Sequence, residues 1–391
     1  MMWLVALLTF ALPWVITPGT PNPFLEGKEL LLTFGGWALV CWTSLRQPSL
    51  PSAGLRNPFL PWLALFLLAM GCLHFHWRCL WRTVSQTQVV YNVYTWLPTL
   101  SVIMALLLLR TLALHWFRHP PHLLQLTQWL CLSGALVSCY AIGQALGLDE
   151  WFAQDVATGN TWQGVYAGLG NPSYLAIYLA AIFPLCWLFK PRCYLLYGLM
   201  MLVAIWLTHV PYAWGLVGIG MAGYGVSRWW NVLHRWHRIA LLIILLELIW
   251  LNVPTITSWA QGDERWSIWA QSWVLTQTTT QKVVESWTGR GLGAYGLVMP
   301  SQAWAHNEWL QALIELGVIG TGLFGLAIGW ATRTAWRQAK TSLIDAGWFG
   351  TWLVLLVSSV IHFPFHIAPI IWVGLCAWAV IERDQGEVAY A

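Results

Sequence analysis

Polar positions in this chain are sparse and clustered. Between the clusters run apolar stretches near 2–18, 28–45, 58–75, 97–116, 123–146, 173–189, 193–209, 213–227, 239–255, 309–330, 346–362 and 365–382. Crossing about 30 Å of hydrocarbon takes a helix of roughly 20 apolar residues. The pattern therefore predicts an all-α polytopic membrane protein with about twelve spans. The eighth span is short, and Pro364 alone parts the eleventh from the twelfth. The first stretch has neither a basic segment ahead of it nor a small-residue cleavage site, so it reads as a span and not as a signal peptide. Only one interruption is long. It divides the chain into 1–253 with spans one to nine, a loop at 254–308, and 309–391 with spans ten to twelve and a short tail.

Composition agrees with that pattern. Hydrophobic residues make up 58% of the 391 and charged residues 9%, with a mean hydropathy of +0.60. A soluble domain carries about 25% charged residues on its surface, so soluble globular and disordered classes are excluded. The net charge of +4 gives no reason to expect nucleic acid. Cys41, Cys72, Cys131, Cys139, Cys186 and Cys376 lie inside apolar stretches, no CxxC pair occurs, and no zinc-ligand spacing is present. They read as small apolar residues, so neither a metal nor a disulfide framework is expected. Many of the 32 tryptophans fall near the ends of apolar runs, as headgroup anchors do.

The basic residues set the orientation. With the N-terminus in the cytoplasm, Arg46, Arg56, Arg118, Lys190, Arg192, Arg228, Arg235, Arg238, Arg333, Arg337, Lys340 and Arg383 all fall inside, and Arg110 can reach the same side. Lys28, Arg78, Arg82, Arg265, Lys282 and Arg290 fall outside. The bias predicts both termini in the cytoplasm and the 254–308 loop on the outer face. Outer arginines retained against this bias suggest an anionic ligand. Pairing with Asp263, Glu264, Glu285 or lipid headgroups is the competing explanation.

The loop carries Trp259, Trp266, Trp269, Trp273 and Trp287, too many apolar rings for a disordered segment. It reads as amphipathic helical material around 268–284 that packs as a lid, followed by a glycine-rich turn, Gly289 to Gly296. Backbone amides at such a turn can approach phosphate oxygens, or the glycines can simply make a tight return into the membrane. Next come Ala305, His306, Asn307 and Glu308. On a helix Glu308, Gln311 and Glu315 share a face, with Asn307 beside the stripe and His306 at the membrane boundary. Polar groups at such a position face a cavity or one another. A lone histidine is more often structural than catalytic, but this one follows an arginine-bearing glycine turn.

At these residues the chain resembles the O-antigen ligase family, the membrane glycan ligases and polymerases related to lipopolysaccharide O-antigen ligase. Arg265-Trp266 with Trp269, Gly291-Leu292-Gly293-Ala294-Tyr295, and His306 through Gly317 occur in the family's order. Gly170-Asn171-Pro172-Ser173-Tyr174-Leu175-Ala176 is similar to the segment before a central span, and Pro23-Phe24 with Lys28-Glu29-Leu30 to the opening of the second. The resemblance implies a bacterial inner-membrane enzyme working on the outer leaflet. It would transfer a glycan from an undecaprenyl-diphosphate donor to an acceptor hydroxyl on lipid A-core, on a growing glycan or on a protein, without metal or other cofactor. It places the catalytic role on His306 and donor-diphosphate binding on Arg265. Arg290 of the glycine turn reads as a further donor-diphosphate ligand, and Asn307, Gln311, Glu315, Gly291, Gly293 and Asn171 as supporting residues. An imidazole, with an ordinary pKa near 6.5, can accept a hydroxyl proton or orient the acceptor. Arginine can hold phosphate bidentately as charge builds there.

One segment departs from the family. Where its members commonly carry Ser-Arg-Gly before a tryptophan-containing span, this chain reads Leu207-Thr208-His209-Val210-Pro211-Tyr212-Ala213-Trp214, with Pro211 in the arginine's place. Arg78 and Arg82, four apart and on the outer side, are the candidate replacements. Altered substrate or lost activity is the alternative. Glu247, deep in the ninth span, would serve a transporter or flippase as a coupling site. Such proteins usually show internal repeats, and no convincing repeat is present. A non-catalytic scaffold would leave the order of the outer-loop motifs unexplained.

Overall fold

The structure is a computed structural model and describes residues 2–17, 24–46, 57–69, 101–117, 119–149, 164–189, 192–229, 265–277, 286–295 and 305–383. Arg78, Arg82, Glu247 and the ninth span lie outside the described residues. Within them every long element is helical and no strand occurs. The helices are α1 (Met2–Ala11), α2 (Glu26–Arg46), α3 (Leu60–Ala69), α4 (Ser101–Trp116), α5 (Pro120–Ala145), α6 (Pro172–Cys186), α7 (Arg192–Leu207), α8 (Tyr212–Trp229), α9 (Arg265–Gln277), α10 (Glu308–Ala339), α11 (Leu343–Ile361) and α12 (Ala368–Glu382).

Three of them, α5, α10 and α11, are both long and apolar enough to cross a membrane. Several others are shorter than the apolar runs from which they arise. The run at 2–18 yields only the ten residues of α1, because Pro13 lacks an N–H to continue the ladder and the chain turns there. The amides of Trp14 and Val15 close the helix on Ala11 O, at 2.9 and 3.1 Å. Proline also shortens the last run, where Pro364 opens a single 3-10 turn and α12 begins only at Ala368.

Helix α11 occupies the centre and packs against α6, α8, α10 and α12. Its contact with α8 is backbone-close. A Cβ on Gly350 would lie 2.5 Å from Gly220 O, so only glycine lets the two helices approach this far. Tryptophan contributes to this core as well as to the periphery. Trp3, Trp62 and Trp229 are exposed, but Trp348, Trp352 and Trp372 are buried, which corrects an anchoring role for the tryptophans as a group. In these three the indole N–H finds a threonine hydroxyl: Trp348 on Thr127 at 3.2 Å, Trp352 on Thr332 at 2.9 Å and Trp372 on Thr9 at 3.1 Å. That satisfies the one polar group each ring brings inside.

Polar side chains tie the two ends of this bundle. At the end where α10 meets α11, Arg383 donates to Asp345 at 2.6 Å. Asn57 links Glu382, through its backbone N–H, to Ala327 O, through its side chain. Lys28, counted among the outer cations, is buried and donates to Val15 O at 2.6 Å and Phe24 O at 2.7 Å, holding the α1–α2 connection. The opposite end gathers the start of α10, the turn between α11 and α12, and the glycine-rich segment.

Candidate functional site

Helix α10 begins where the sequence places a polar cap. Asn307 accepts the Leu310 N–H at 3.0 Å, a standard N-cap bond. Asn171 does the same for α6, accepting the Ser173 N–H at 2.8 Å. Both asparagines are thus spent on helix starts. The residue ahead of the cap, His306, has φ of +52°. A non-glycine residue in this left-handed region is held there by its surroundings at some cost. The imidazole packs edge-on against Phe363, ring centres 4.8 Å apart, and against His362 at 5.7 Å.

Those two rings belong to a turn at 361–366, and Arg265 reaches the same turn from α9. Its guanidinium donates to Ile361 O at 3.3 Å and lies 5.6 Å from the centre of the Tyr212 ring. Tyr174, the tyrosine of the Asn171 segment, stands edge-on to His362 at 5.5 Å. The turn therefore brings Arg265 and His306 together, with Tyr174 and Tyr212 beside them. Tyr212 directly follows Pro211, so the departing segment contributes a ring under the guanidinium.

His362 is 2% exposed and its Nδ1 accepts the Phe363 N–H at 2.9 Å. Burial, then the charge of Arg265, then His306 push its pKa well below the usual histidine value. It stays neutral, with its proton on Nε2, and adds no positive charge to that of Arg265.

Beneath this cluster the polar stripe of α10 closes on the far side of the turn. Glu308 accepts the Phe365 N–H at 2.7 Å, and His366 Nδ1 lies 3.2 Å from the same oxygen. Gln311 lies 3.2 Å from His366 Nε2 through its amide nitrogen and 3.2 Å from Glu315 Oε1, while its Oε1 accepts the Ala305 N–H at 3.3 Å. Glu308, Gln311 and Glu315 do share one helical face, and that face is a bonded network.

The glycine-rich segment docks on the same helix. Gly317 breaks α10 with φ of +65° and ψ of −171°, which frees carbonyls above it. Arg290 N–H fills Ile314 O at 3.0 Å and Gly291 N–H fills Glu315 O at 2.9 Å. Tyr295 N–H donates to Glu315 Oε1 at 3.2 Å, joined by a backbone bond from Gly293. The turn thus has the backbone nest anticipated for a phosphate, and in this structure it wraps the carboxylate of Glu315. Arg290 is fixed by its backbone at Ile314, about two helical turns along α10 from His306.

Beside this network runs a cavity of about 240 Å³ with apolar walls from Leu63, Leu106, Phe324, Leu375 and Trp378. Glu308, Gln311, Glu315 and His366 form its polar lining. The residues that sequence reasoning missed are those of the hub itself, His362 and His366, together with Tyr174 and Tyr212. A signal existed: two histidines bracket Pro364 between two apolar runs, and ionisable groups at such a boundary mark function by default. Compared with protein-family models and with the curated proteins, the chain matches none.

Proposed function

We propose that this protein transfers a glycan from a polyprenyl-diphosphate donor to an acceptor hydroxyl at the outer face of a bacterial inner membrane. The observation that carries the reading is the meeting of Arg265 and His306 on one turn, a fixed cation and an imidazole against the same short segment. In the reaction the acceptor oxygen bonds to the anomeric carbon of the sugar as the bond from that carbon to the phosphate oxygen breaks. The acceptor proton passes to His306, and polyprenyl diphosphate leaves with the added negative charge, which Arg265 stabilises. Neutral His362 keeps the surroundings of His306 from gaining a second positive charge. The neighbouring apolar cavity is in keeping with a lipid-linked substrate.

The reading includes twelve spans with both termini in the cytoplasm and the 254–308 segment outside. It leaves Arg78 and Arg82 as further donors to the diphosphate. The acceptor decides whether the enzyme acts as a ligase, a repeat-unit polymerase or an O-linked protein glycosyltransferase. A deletion strain accumulating lipid-linked polymer marks a ligase, one with only short-chain surface material a polymerase, and one with unglycosylated protein the third.

The test is complementation of that strain with His306→Asn and Arg265→Ala. Asparagine tolerates the left-handed backbone at 306 without supplying a base. Both variants should insert normally and lower transfer by at least about 10²-fold. Wild-type surface glycans from both variants would end the proposal.

A further inference from the structure

The turn that joins Arg265 to His306 has no regular hydrogen-bond ladder of its own beyond one 3-10 turn, so something else must hold it. His366 ties the turn to two residues of α10 at once. Through Nδ1 it meets Glu308, whose same oxygen takes the Phe365 N–H. Through Nε2 it meets the amide nitrogen of Gln311, whose oxygen holds the Ala305 N–H. Ala305 adjoins His306. Two short chains of bonds therefore run from one imidazole, one to the turn that Arg265 grips and one to the backbone that presents His306.

We propose that His366 is a positioning residue of this site, fixing Arg265 through the turn and His306 through Gln311 and Ala305. As a statement about transfer this rests on the glycan-transfer reading; as a statement about geometry it does not.

The bonding pattern also makes the device sensitive to a proton. Gln311 donates to Glu315 and accepts from Ala305, so its orientation is fixed and its NH₂ faces Nε2. Only a neutral His366, protonated on Nδ1, completes this arrangement. A proton on Nε2 would set two donors against each other, and the amide would have to turn over, giving up the Ala305 N–H. The groups that bear on His366 are Glu308 and Glu315 of α10 and Glu29 of α2. Burial opposes charging the ring, but these three carboxylates outweigh it and raise the pKa above the usual histidine value. As the pH falls, His366 takes up its proton and the hold on His306 loosens.

Diethyl pyrocarbonate, which attacks only unprotonated imidazole, reads this directly. In purified full-length protein, its rate at His306 is followed by mass spectrometry across pH for wild type, His366→Ala and His366→Asn. Wild type should show an inflection passed on from His366 that both variants lack. In transfer assays with an undecaprenyl-diphosphate-linked oligosaccharide, His366→Ala should lower kcat by about 10²-fold with KM nearly unchanged, as misplacement does. His366→Asn should recover about tenfold of that, because its side-chain N–H stands where Nδ1–H stood and restores the bond to Glu308.

Identical His306 labelling profiles in wild type and His366→Asn overturn the proposal whatever the transfer rates show. Altered profiles with no transfer even by wild type support it and sink the transfer reading instead. Should His366→Ala fail to fold, the asparagine variant alone decides.

Discussion

Three histidines around one turn have three different environments, and the differences are chemical. His306 is half-buried with a left-handed backbone, His362 is buried and neutral, and His366 is paired with a carboxylate. His362 makes a prediction about stability whose sign is fixed by its lowered pKa. Unfolded, the ring binds a proton near pH 6.5; folded, it resists one until well below that. The unfolded state therefore binds more protons in that window, and stability falls as the pH drops below about 6.5, at up to about 1.4 kcal/mol per pH unit for one proton. His366 has the opposite sign. Its raised pKa contributes stability that is complete below pH 6.5 and is lost as the pH rises through the folded value. In His362→Asn the acid-side loss should shrink by close to one proton's slope, measured by thermal unfolding in detergent between pH 4.5 and 7. An unchanged slope would mean that the ring is not kept neutral by its fold. At this scale the sequence was legible in part. Asn171 and Asn307, expected to support the site, instead cap the helices that follow them. His362 was not legible, because its neutrality depends first on burial by the packed bundle and then on Arg265 and His306, 97 and 56 positions away.

Among the elements, α10 is the one on which the site depends, and its break at Gly317 is the least replaceable backbone feature. A Cβ there would collide with the backbone of Trp287 and Gly289, and φ near +65° with extended ψ is a conformation for glycine alone. The break opens Ile314 O and Glu315 O, and the segment 286–295 closes them. Removing the break therefore removes the docking site of the glycine turn. Gly317→Ala should cost at least about 2 kcal/mol and lower the unfolding temperature, while loosening the Glu315 nest. Gly322→Ala is the internal comparison. It lies on the same helix with open space around the added methyl, and alanine favours helix over glycine by up to about 1 kcal/mol. Its unfolding temperature should hold or rise, and equal losses in both variants would refute the special role of residue 317. Periodicity anticipated a helix from 309 and could anticipate neither the break nor its occupant. Hydrophobic pattern records which face is buried, whereas a positive φ in mid-helix is imposed by the segment that packs against it. The glycines of 289–296 were visible as a nest, but the anion inside it, Glu315, was visible only as a member of a helical stripe.

For the whole molecule, the apolar runs foretold an all-helical bundle because each helix must satisfy its backbone internally once water is excluded. They foretold helix lengths less well. Pro13 ends α1 inside a run that hydropathy alone reads as continuous, Pro364 delays the start of α12 to Ala368, and apolar residues continue through turns when a neighbouring helix covers them. The site has meaning as an outer-face catalyst only if α10 carries the chain across the membrane, with His306 at one end and the Asp345–Arg383 pair beyond the other. A straight helix of its 32 residues would be about 48 Å long, more than the hydrocarbon thickness. Single cysteines at Ser286→Cys, in the glycine-turn segment, and at Thr341→Cys, in the turn between α10 and α11, report on this in intact cells. Both positions are exposed, and native cysteines are replaced beforehand so that only the added thiol reacts. A membrane-impermeant maleimide should label position 286 from outside and position 341 only after the membrane is opened. Labelling of both from one side would mean that α10 does not cross, and labelling of position 286 only after the membrane is opened would mean that the arginine and histidine face inward and would overturn the outer-face reading.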